Sequence, residues 1–452
     1  MRCGWLALAG LVSSLGGDVL AGAPVAPPLR VAAGEVDEGD VMSMSSLLTA
    51  AAVDLAGGDG EAALARLARV AAVEPDNPWM LYYRGAALVL LRRPYDALAA
   101  LDAAAERLAA LGDPDGALRV QIAELRARAR RQVFAFDLRF GLAYTTNATF
   151  TGSGGQELGF ISGRSDKLFG LEVQASFAPI ANDRDVLAIA VRSAQSWHFR
   201  VKEFDFQDYG ALLRYAHRWD EAWESSIAYT YEFAVLERQS YLCSHAVTLG
   251  LDYHWPRNEG QVQPKRTGVY YRLEGDDFLF STPDALGRDG LVHVFGVEQA
   301  LQVQPLAGSP WTWDVRGGYA FESAHTEGTE FDRHTNAFHV HCGFPLVNPR
   351  DPDAYLLWAD RELRIDFDAA WALDRYRRPS LYDSRRRHRR DWVTNLTLDI
   401  AQVLEHDPQR GDITLHAIVG WTDSDSNVRT RRGGVPFSYD QLYYGLQIAW
   451  SW

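Results

Sequence analysis

The pattern of the sequence changes at residue 133, where residues 134–145 run FAFDLRFGLAYT. Large apolar side chains occupy every second position, at Phe134, Phe136, Leu138, Phe140, Leu142 and Tyr144. The positions between them carry Ala, Asp, Arg, Gly, Ala and Thr. Because successive side chains of a β-strand point to opposite faces, this stretch predicts a strand that is apolar on one face and polar on the other.

The same alternation recurs to the end of the chain in about fourteen segments. Representative apolar positions of the later segments are Leu171, Ile189, Leu213, Tyr229, Leu249, Tyr271, Phe295, Trp313, Phe338, Phe367, Leu398, Val419 and Leu446. An even number of antiparallel strands is what a single-chain outer-membrane barrel requires.

A soluble β-sandwich also alternates, so two further features are needed to favour a membrane barrel. Many segments run about ten or more residues, the length of a tilted membrane-crossing strand, whereas strands of soluble sheets have about five or six. Aromatic residues cluster at segment ends, as interfacial girdles do. These clusters are Trp219/Trp223, Tyr253/Trp255, Trp311/Trp313 and Trp450/Trp452. We therefore predict one closed antiparallel barrel over residues 133–452.

The alternation also predicts which side chains face lipid and which face the lumen. The lipid-facing set includes Phe136, Phe140, Tyr229, Leu249 and Leu446. The lumen-facing set includes Arg139, Glu172 and Glu224. Burying charged side chains in lipid is costly, so the polar face must line the interior.

The connections between segments also alternate in length. Residues 146–165, 275–290, 372–390 and 422–438 form long polar links, whereas residues 179–184, 218–221 and 305–310 form short ones. Outer-membrane barrels have long extracellular loops and short periplasmic turns. The first strand therefore runs outward, and whatever precedes it lies in the periplasm.

The last residues of the chain resemble the C-terminal insertion signal of outer-membrane barrels. Apolar or aromatic residues recur at every second position back from the carboxylate, at Tyr444, Leu446, Ile448, Trp450 and Trp452. The family signal usually ends in Phe, where this chain has Trp452. This strand must pair with the first strand and present an apolar face to lipid. The resemblance implies recognition by the barrel-assembly machinery.

Residues 41–132 are Ala- and Leu-rich and have helical periodicity. Ala63 and Leu67 recur 34 residues later as Ala97 and Leu101, which is the period of a tetratricopeptide repeat (TPR). About two repeats, residues 44–77 and 78–111, are followed by a capping helix over 116–131. The predicted packing residues are Ala63, Leu67, Pro75, Gly85, Tyr95, Ala97 and Leu101. A generic Ala-rich helical hairpin is the alternative, and either would form a docking module without chemistry.

The N-terminus has the features of a secretory signal, predicted over residues 1–21, with a linker over 22–40. The predicted fold class is thus α plus β in two domains, exported to the outer membrane of a Gram-negative bacterium. The net charge of −14 argues against a nucleic-acid partner. After cleavage two cysteines remain, Cys243 and Cys342, and both lie at apolar-face positions where an unpaired thiol is the more common state.

Two short motifs carry a resemblance to a known family. GLAYTTN at residues 141–147 is similar to the first barrel strand of the surface lipoprotein assembly modulators (Slam), although Thr145-Thr146 replaces an Asp-Ser pair. GWTDSDSN at residues 420–427, followed by Tyr439-Asp440, resembles that family's last two strands. The resemblance implies a periplasmic TPR domain before a fourteen-stranded barrel. It also implies delivery of lipoproteins, or similar protein cargo, to the cell surface.

Two other functions remain open. TPR-bearing outer-membrane proteins also export polysaccharides, and some barrels are surface enzymes that use His with Ser, Asp or Glu. The 12 histidines form no catalytic signature in the sequence, so we expect no enzyme and no cofactor. The expected partners are outer-membrane lipid and a periplasmic protein or cargo bound by the helices.

Two polar clusters are candidate binding sites. The first comprises Arg377, Arg378, Arg385, Arg386, Arg387, His388, Arg389 and Arg390. Guanidinium groups can pair with lipopolysaccharide phosphates, and Arg385, Arg386, Arg387, Arg389 and Arg390 are the candidate contacts. A solvated basic loop is the equal alternative. The second cluster is His339 and His341 with His334 nearby, a spacing that can ligate a metal but more often marks polar lumen residues.

Overall fold

The computed structural model describes residues 44–112, 116–148, 164–256, 260–279, 287–305, 312–328, 330–347, 362–381, 383–407, 410–430 and 432–452. The predicted signal peptide and linker lie outside the described residues. Within these ranges, five helices come first and fourteen strands follow. None of the helices in these ranges is long and apolar enough to cross a bilayer.

The helices form two antiparallel hairpins and a final helix. They are α1 (Met44–Gly57), α2 (Gly60–Ala71), α3 (Pro78–Leu90), α4 (Pro94–Ala110) and α5 (Gly116–Val133). The side chain of Asp59 caps α2 by accepting from Ala62 N. Asn77 caps α3 by accepting from Trp79 N and Met80 N, with Pro78 in the first turn where its missing N–H costs nothing.

The helical core contains most of the residues that the 34-residue period selects. Ala63, Ala97 and Leu101 are 0% exposed and Leu67 is 1% exposed. A Cβ atom built on Gly85 would lie 2.5 Å from Leu101 Cγ, so only glycine lets α3 approach α4 this closely.

Tyr95 does not have the predicted packing role. Its side chain is 42% exposed, and its hydroxyl donates to the Ala178 carbonyl of the barrel at 2.7 Å. Tyr95 lies near the start of α4, where its side chain is directed away from the helix–helix interface and toward the barrel. Pro75 lies in the connection between α2 and α3, exposed to solvent, where it can end a helix but packs against none.

Fourteen strands form one closed antiparallel barrel, in which each strand pairs with its neighbour in sequence and β1 pairs with β14. The strands are β1 (Phe134–Thr145), β2 (Asp166–Ala181), β3 (Asp185–His198), β4 (Phe206–Arg218), β5 (Trp223–Leu236), β6 (Gln239–His254), β7 (Val262–Phe278), β8 (Gly290–Val303), β9 (Trp313–Thr326), β10 (Arg333–Val347), β11 (Leu363–Pro379), β12 (His388–Asp407), β13 (Gly411–Ser426) and β14 (Tyr439–Ser451). The two-domain fold class is confirmed.

The seam between β1 and β14 closes the barrel. Phe140 lies opposite Ile448 and Tyr144 opposite Tyr444. Beyond the last strand, Phe136 N donates to Trp452 O at 2.7 Å and Trp452 N donates to Phe136 O at 2.8 Å. The seam is thus paired from Phe136 to Thr145, which leaves no open strand edge over that length, as a barrel in lipid needs.

The two faces of the barrel differ as the alternation predicts. Phe140, Tyr229, Leu249 and Leu446 project from the outer wall with 40%, 43%, 50% and 59% of their surface exposed. Phe136 lies on the same wall, with its ring 5.5 Å from that of Trp450. Arg139 and Glu172 face each other across β1 and β2, and Glu224 pairs with Arg214, on the inner wall. A closed antiparallel barrel with an apolar exterior is an outer-membrane barrel.

The terminal strand carries its aromatic and aliphatic residues on the outer wall. Tyr444, Leu446, Ile448 and Trp450 are 47%, 59%, 37% and 38% exposed, and the Trp452 ring lies 5.6 Å from that of Phe134.

The connections differ from the predicted lengths in places. We call the end of the barrel where β1 begins the helical end, and the opposite end the loop end. Residues 237–238 make a two-residue turn at the loop end, whereas the sequence between Val347 and Leu363, both at the helical end, is long. Most of the predicted link at 146–165 lies outside the described residues. The predicted loops at 275–290, 372–390 and 422–438 begin or end as strand. β12 has 20 residues, about twice what a bilayer crossing needs, so strands continue beyond it.

Candidate functional site: the helix-covered end of the lumen

The helical domain is joined to the barrel without a linker. α5 ends at Val133 and β1 begins at Phe134. Arg131 strengthens this joint from the last turn of α5, since its Nη1 lies 3.2 Å from Asp412 Oδ2 and its Nη2 donates to Asp407 O at 3.4 Å. The two acceptors flank the β12–β13 connection, Asp407 at the end of β12 and Asp412 near the start of β13, so the last helix is fixed on that side of the seam.

A second attachment lies on the other side of β1. The Tyr95 hydroxyl donates to Ala178 O near the end of β2. The turn between α3 and α4 reaches further, because Arg92 lies within the electrostatic reach of β4 and β5. Burial lowers the pKa of the Arg92 guanidinium, the like charges of Arg218 and Arg214 lower it further, and Glu224 raises it. Arg92 adopts a φ of 56°, a left-handed conformation at this turn.

Arg92 is accessible to solvent although protein surrounds it, as expected for a side chain at the mouth of a wet lumen. The attachment points therefore run around the rim from the β12–β13 connection, past β1 and β2, to β4 and β5. The helical domain thus lies across part of the helical end of the lumen.

The third helix presents an aromatic cluster to α5. The ring centroids of Trp79 and Tyr82 lie 6.1 Å apart, and those of Tyr82 and Tyr83 lie 5.2 Å apart. Burial raises the pKa of Tyr82 to about 12, helped by Tyr83 and Glu124, while Arg128 lowers it. Glu124 and Arg128 belong to α5, so the space between α3 and α5 combines aromatic and charged side chains. Tyr83 belongs to the helical core, and Trp79 and Tyr82 pack against that core.

Ion pairs line the inner wall of the barrel. They are Arg214–Glu224 at 3.3 Å, Arg266–Glu298 at 3.2 Å, Arg272–Glu274 at 2.8 Å, Arg333–Glu322 at 2.7 Å, Arg364–Asp366 at 2.8 Å and Arg192–Asp208. Most join neighbouring strands, where directly opposed or diagonal side chains share a face. The lumen wall is therefore polar, charged and cross-linked between strands.

The histidine cluster is divided between the two walls. His339 and His341 face the lumen, whereas His334 lies on the outer wall with its ring stacked 5.5 Å from that of Phe321. His341 Nδ1 lies 2.8 Å from Asp368 Oδ1, and Asp366 Oδ1 lies 3.7 Å from His341 Nε2. Across the described ranges, no three His, Cys, Asp or Glu side chains are placed to hold a metal ion. The histidine–carboxylate pairs fit the ordinary role of lumen polar residues.

The sequence could not reveal these carboxylate partners, because Asp366 and Asp368 belong to the next strand and only the β10–β11 register brings them beside His341. The same holds for His416 and Asp399 of β13 and β12, whose Nδ1 and Oδ2 atoms lie 2.9 Å apart. Cys243 and Cys342 are both free thiols.

The arginine-rich loop is built around one buried carboxylate. Asp383 is 3% exposed and accepts from the backbone amides of Arg385, Arg387 and Arg429. Arg387 Nη2 lies 2.8 Å from Asp383 Oδ1, and this bond with the backbone amides holds the pKa of Asp383 far below its usual range.

Two of the five predicted lipopolysaccharide contacts, Arg387 and Arg389, are held by other groups of the protein. Arg387 is held by Asp383 and by Asn427 O at 2.7 Å. Arg389 faces the interior, where its Nη2 lies 2.5 Å from Asp391 Oδ2 and its guanidinium lies 3.6 Å from the Phe437 ring centroid. Arg389 alternates with Arg390 along β12, so adjacent arginines must face opposite walls. Arg385, Arg386 and Arg390 remain exposed.

A serine–histidine pair on the outer wall was not anticipated. Ser323 Oγ lies 3.2 Å from His325 Nε2 on β9. The other ring nitrogen of His325 faces Arg377 Nη1 at 3.3 Å. A guanidinium only donates, so His325 Nδ1 accepts and the ring proton sits on Nε2, pointing at the serine. Such a histidine cannot take the serine proton, which argues against hydrolysis at this pair.

Comparisons with known proteins add the following. No family model and no curated protein matches the chain. Among solved structures, a bacterial polysaccharide outer membrane secretin aligns with a TM-score of 0.35 and 12% identity, covering 70% of this chain and 98% of the other. OccAB3 of Acinetobacter baumannii aligns with a TM-score of 0.36 and 8% identity over 71% and 99% of the two chains. OccK1 of Pseudomonas aeruginosa aligns with a TM-score of 0.35 and 7% identity, covering 71% of this chain and 99% of the other. Likenesses of this size assign no activity.

Proposed function

We propose that the chain is an outer-membrane translocator that helps deliver lipoproteins or similar protein cargo to the cell surface. The helical domain lies in the periplasm and receives the cargo, and the barrel provides the route or the surface for its transfer. Its terminal strand, from Tyr444 to Trp452, is the segment that the barrel-assembly machinery recognises.

One observation carries this proposal: the helical domain is fixed across part of the helical end of the lumen. Tyr95, Arg131 and Arg92 attach or approach it at three places around the rim. A solute that enters the barrel from this end passes beside the helices. A helical docking module at that position suits capture of a macromolecule, whereas a channel for small solutes has no need of one.

The lengths of the connections between strands support the proposed orientation. At the loop end, the sequence between β1 and β2, between β7 and β8 and between β13 and β14 is longer than most of the connections at the helical end. Outer-membrane barrels place such loops outside the cell. The helical domain then lies in the periplasm, where an exported chain first meets its partners.

The test is removal of the helical domain with the barrel left intact. We expect deletion of residues 35–131 to reduce surface exposure of a candidate lipoprotein, measured by protease shaving of whole cells. The amount of heat-modifiable barrel should stay constant, because β1 begins after the deletion. The double variant Tyr95→Phe/Arg131→Lys is the control, since it loosens the attachment but keeps the helices.

The alternative functions give different results in the same experiment. If lipoprotein display is unaffected and a matrix polysaccharide disappears from the medium, the barrel is a polysaccharide exporter. If neither changes, the helical domain is a scaffold and the translocator proposal is wrong. The proposal includes no catalytic step, so we expect a Ser323→Ala variant to display the candidate lipoprotein at the wild-type level.

A further inference from the structure

A row of basic side chains crosses the outer wall at the loop end. The strand register places His293 of β8 opposite Ser323 of β9, and Ser323 opposite His334 of β10. It continues with His334 opposite Arg375 of β11, and Arg375 opposite Arg390 of β12. These four basic residues and Ser323 are neighbours in register on five adjacent strands, and we call all five the basic row.

The basic row lies just beyond the apolar belt. One step toward the helical end, four of the five strands present Phe295, Phe321, Leu373 and Trp392 on the outer wall, and β10 presents Asn336. Phe295 and Trp392 are 55% and 44% exposed. Aromatic residues of this kind mark the boundary between hydrocarbon and headgroups. The row is two residues further along each strand, about 7 Å, which is the depth of the lipid headgroups.

Arg375 and Arg390 form an unfavourable pair unless an anion joins them. They lie directly opposite each other on adjacent strands, and both are exposed. Like charges in this position repel. No carboxylate in the described part of the chain forms an ion pair with either side chain. A phosphate between two guanidinium groups would remove the repulsion and accept from both.

The carboxylates that flank the row have other partners. Asp332 Oδ1 accepts from Thr326 N at 2.7 Å. Asp425, on β13, accepts from Ser438 Oγ at 3.4 Å. Both carboxylates are thereby held by neutral donors, and within the described residues neither forms an ion pair with Arg375 or Arg390.

A third arginine is fixed beside the row. Arg377 lies one step nearer the loop end of β11 and donates to Ser323 Oγ at 3.1 Å and to His334 Nε2 at 3.0 Å. Its charge is thereby held above the middle of the row. Three guanidinium groups within one patch of the outer wall form a site that is larger than a single ion pair.

We infer that the basic row, with Arg377, binds the phosphate groups of a lipid A headgroup in the outer leaflet. The inference rests on the proposed orientation, which puts the loop end outside the cell. The sequence predicted the lipopolysaccharide contacts from Arg385 to Arg390, whereas the inferred site lies on the barrel wall. There the ligand is held by Arg375, Arg377 and Arg390. The arginines of the 380–387 loop are not required.

The test is titration of the purified full-length protein, in detergent and free of lipid, with purified lipid A. We expect the double variant Arg375→Gln/Arg390→Gln to weaken binding by about tenfold or more, since each removes a charged hydrogen bond. The matched control Arg385→Gln/Arg386→Gln removes the same charge from the exposed loop and should bind as the wild type does. Both variants must show the wild-type heat-modified band, so that loss of folding is not mistaken for loss of binding.

Three results would overturn the inference. One is equal loss of binding in the loop control, and another is undiminished binding of lipid A from which both phosphates have been removed. The third is full competition by inorganic phosphate at millimolar concentration, which would mean a site for free anions. The proposed orientation is tested separately, by labelling Arg386→Cys on intact cells with an impermeant maleimide in a background with Cys243→Ser and Cys342→Ser. Labelling only after the outer membrane is opened would contradict the orientation, and with it binding in the outer leaflet, whereas the titration in detergent does not depend on orientation.

Discussion

The helical domain and the barrel place the same residue types in opposite environments. Leu67 and Leu101 of the helices are 1% and 0% exposed. Leu213 and Leu249 of the barrel are 47% and 50% exposed on the outer wall. Conversely, Asp374 and Asp391 of the barrel are buried at 2% exposure. The helical domain is stabilised by excluding water from apolar contacts, whereas the barrel relies on lipid outside and on hydrogen bonds between strands.

This difference implies that the two regions fail in different ways. A helical core tolerates loss of one contact if the remaining contacts still exclude water. A barrel in lipid cannot leave a strand edge open, because unpaired backbone groups in hydrocarbon cost several kcal/mol each. The variants that follow test this contrast, from the largest expected effect to the smallest.

Deletion of residues 450–452 should have the largest effect. Trp450 pairs with Leu138 across the seam, and Trp452 exchanges two backbone hydrogen bonds with Phe136. Without them the start of β1 loses its partner, and we expect most of the heat-modifiable barrel to disappear from outer membranes. The milder variant Trp452→Ser keeps the backbone bonds and should lower the amount of barrel less. Normal assembly of both variants would refute an insertion role for the terminal strand.

A pair of neighbouring leucines compares the outer and inner walls directly. Leu213 lies opposite Ile189 and Tyr229 on the outer wall, and Leu212 lies opposite Ala190 and Thr230 on the inner wall. We expect Leu213→Arg to lower the free energy of unfolding by about 2–4 kcal/mol, the cost of arginine at the bilayer midplane. Leu212→Arg places the same charge in a polar lumen and should cost less than about 1 kcal/mol.

The measurement is urea unfolding of protein folded into phospholipid vesicles. If the two arginine variants have equal stability, the assignment of the two walls is wrong. Because residue type, strand and substitution are the same, nothing except the facing of the side chain distinguishes the two variants.

Overpacking should affect the helical domain alone. Gly85→Val places side-chain atoms where Leu101 Cγ lies, only 2.5 Å from the Cβ position. Overpacked cores lose about 1–3 kcal/mol, so the open population of the helices should rise about tenfold. The readout is the rate of protease cleavage within the helices of membrane-inserted protein, with the heat-modified barrel unchanged. Gly116→Val is the control, since a Cβ atom at Gly116 meets nothing within 4 Å.

The sequence predicted the two walls but not the contacts across strands. A period of two determines which side chains share a wall, as for Phe140 and Arg139, and this follows from chain geometry alone. Register between strands does not follow from it, so neither the pairing of His341 with Asp368 nor the alignment of Arg375 with Arg390 was predictable.

The helical domain shows the same limit in another form. The 34-residue period identified Ala63, Leu67, Ala97 and Leu101, all of which are buried. It assigned Tyr95 to helix packing, although this side chain reaches the barrel. A repeat pattern describes contacts inside the repeat and contains no information about a neighbouring domain.

The smallest expected effect concerns the attachment of the helices to the barrel. Tyr95→Phe removes the hydroxyl that donates to Ala178 O and leaves the ring in place. One hydrogen bond contributes about 0.5–1.5 kcal/mol, so deuterium uptake in α4 should rise about two- to tenfold in full-length protein held in nanodiscs. Tyr82→Phe, on α3, is the control and should leave uptake in α4 unchanged. Adding Arg131→Lys should weaken the attachment further, since the two contacts lie on different sides of β1 and share no partner. Equal uptake in the Tyr95 and Tyr82 variants would show that the hydroxyl does not hold the helical domain over the lumen, and the α5–β1 junction alone would then determine its position.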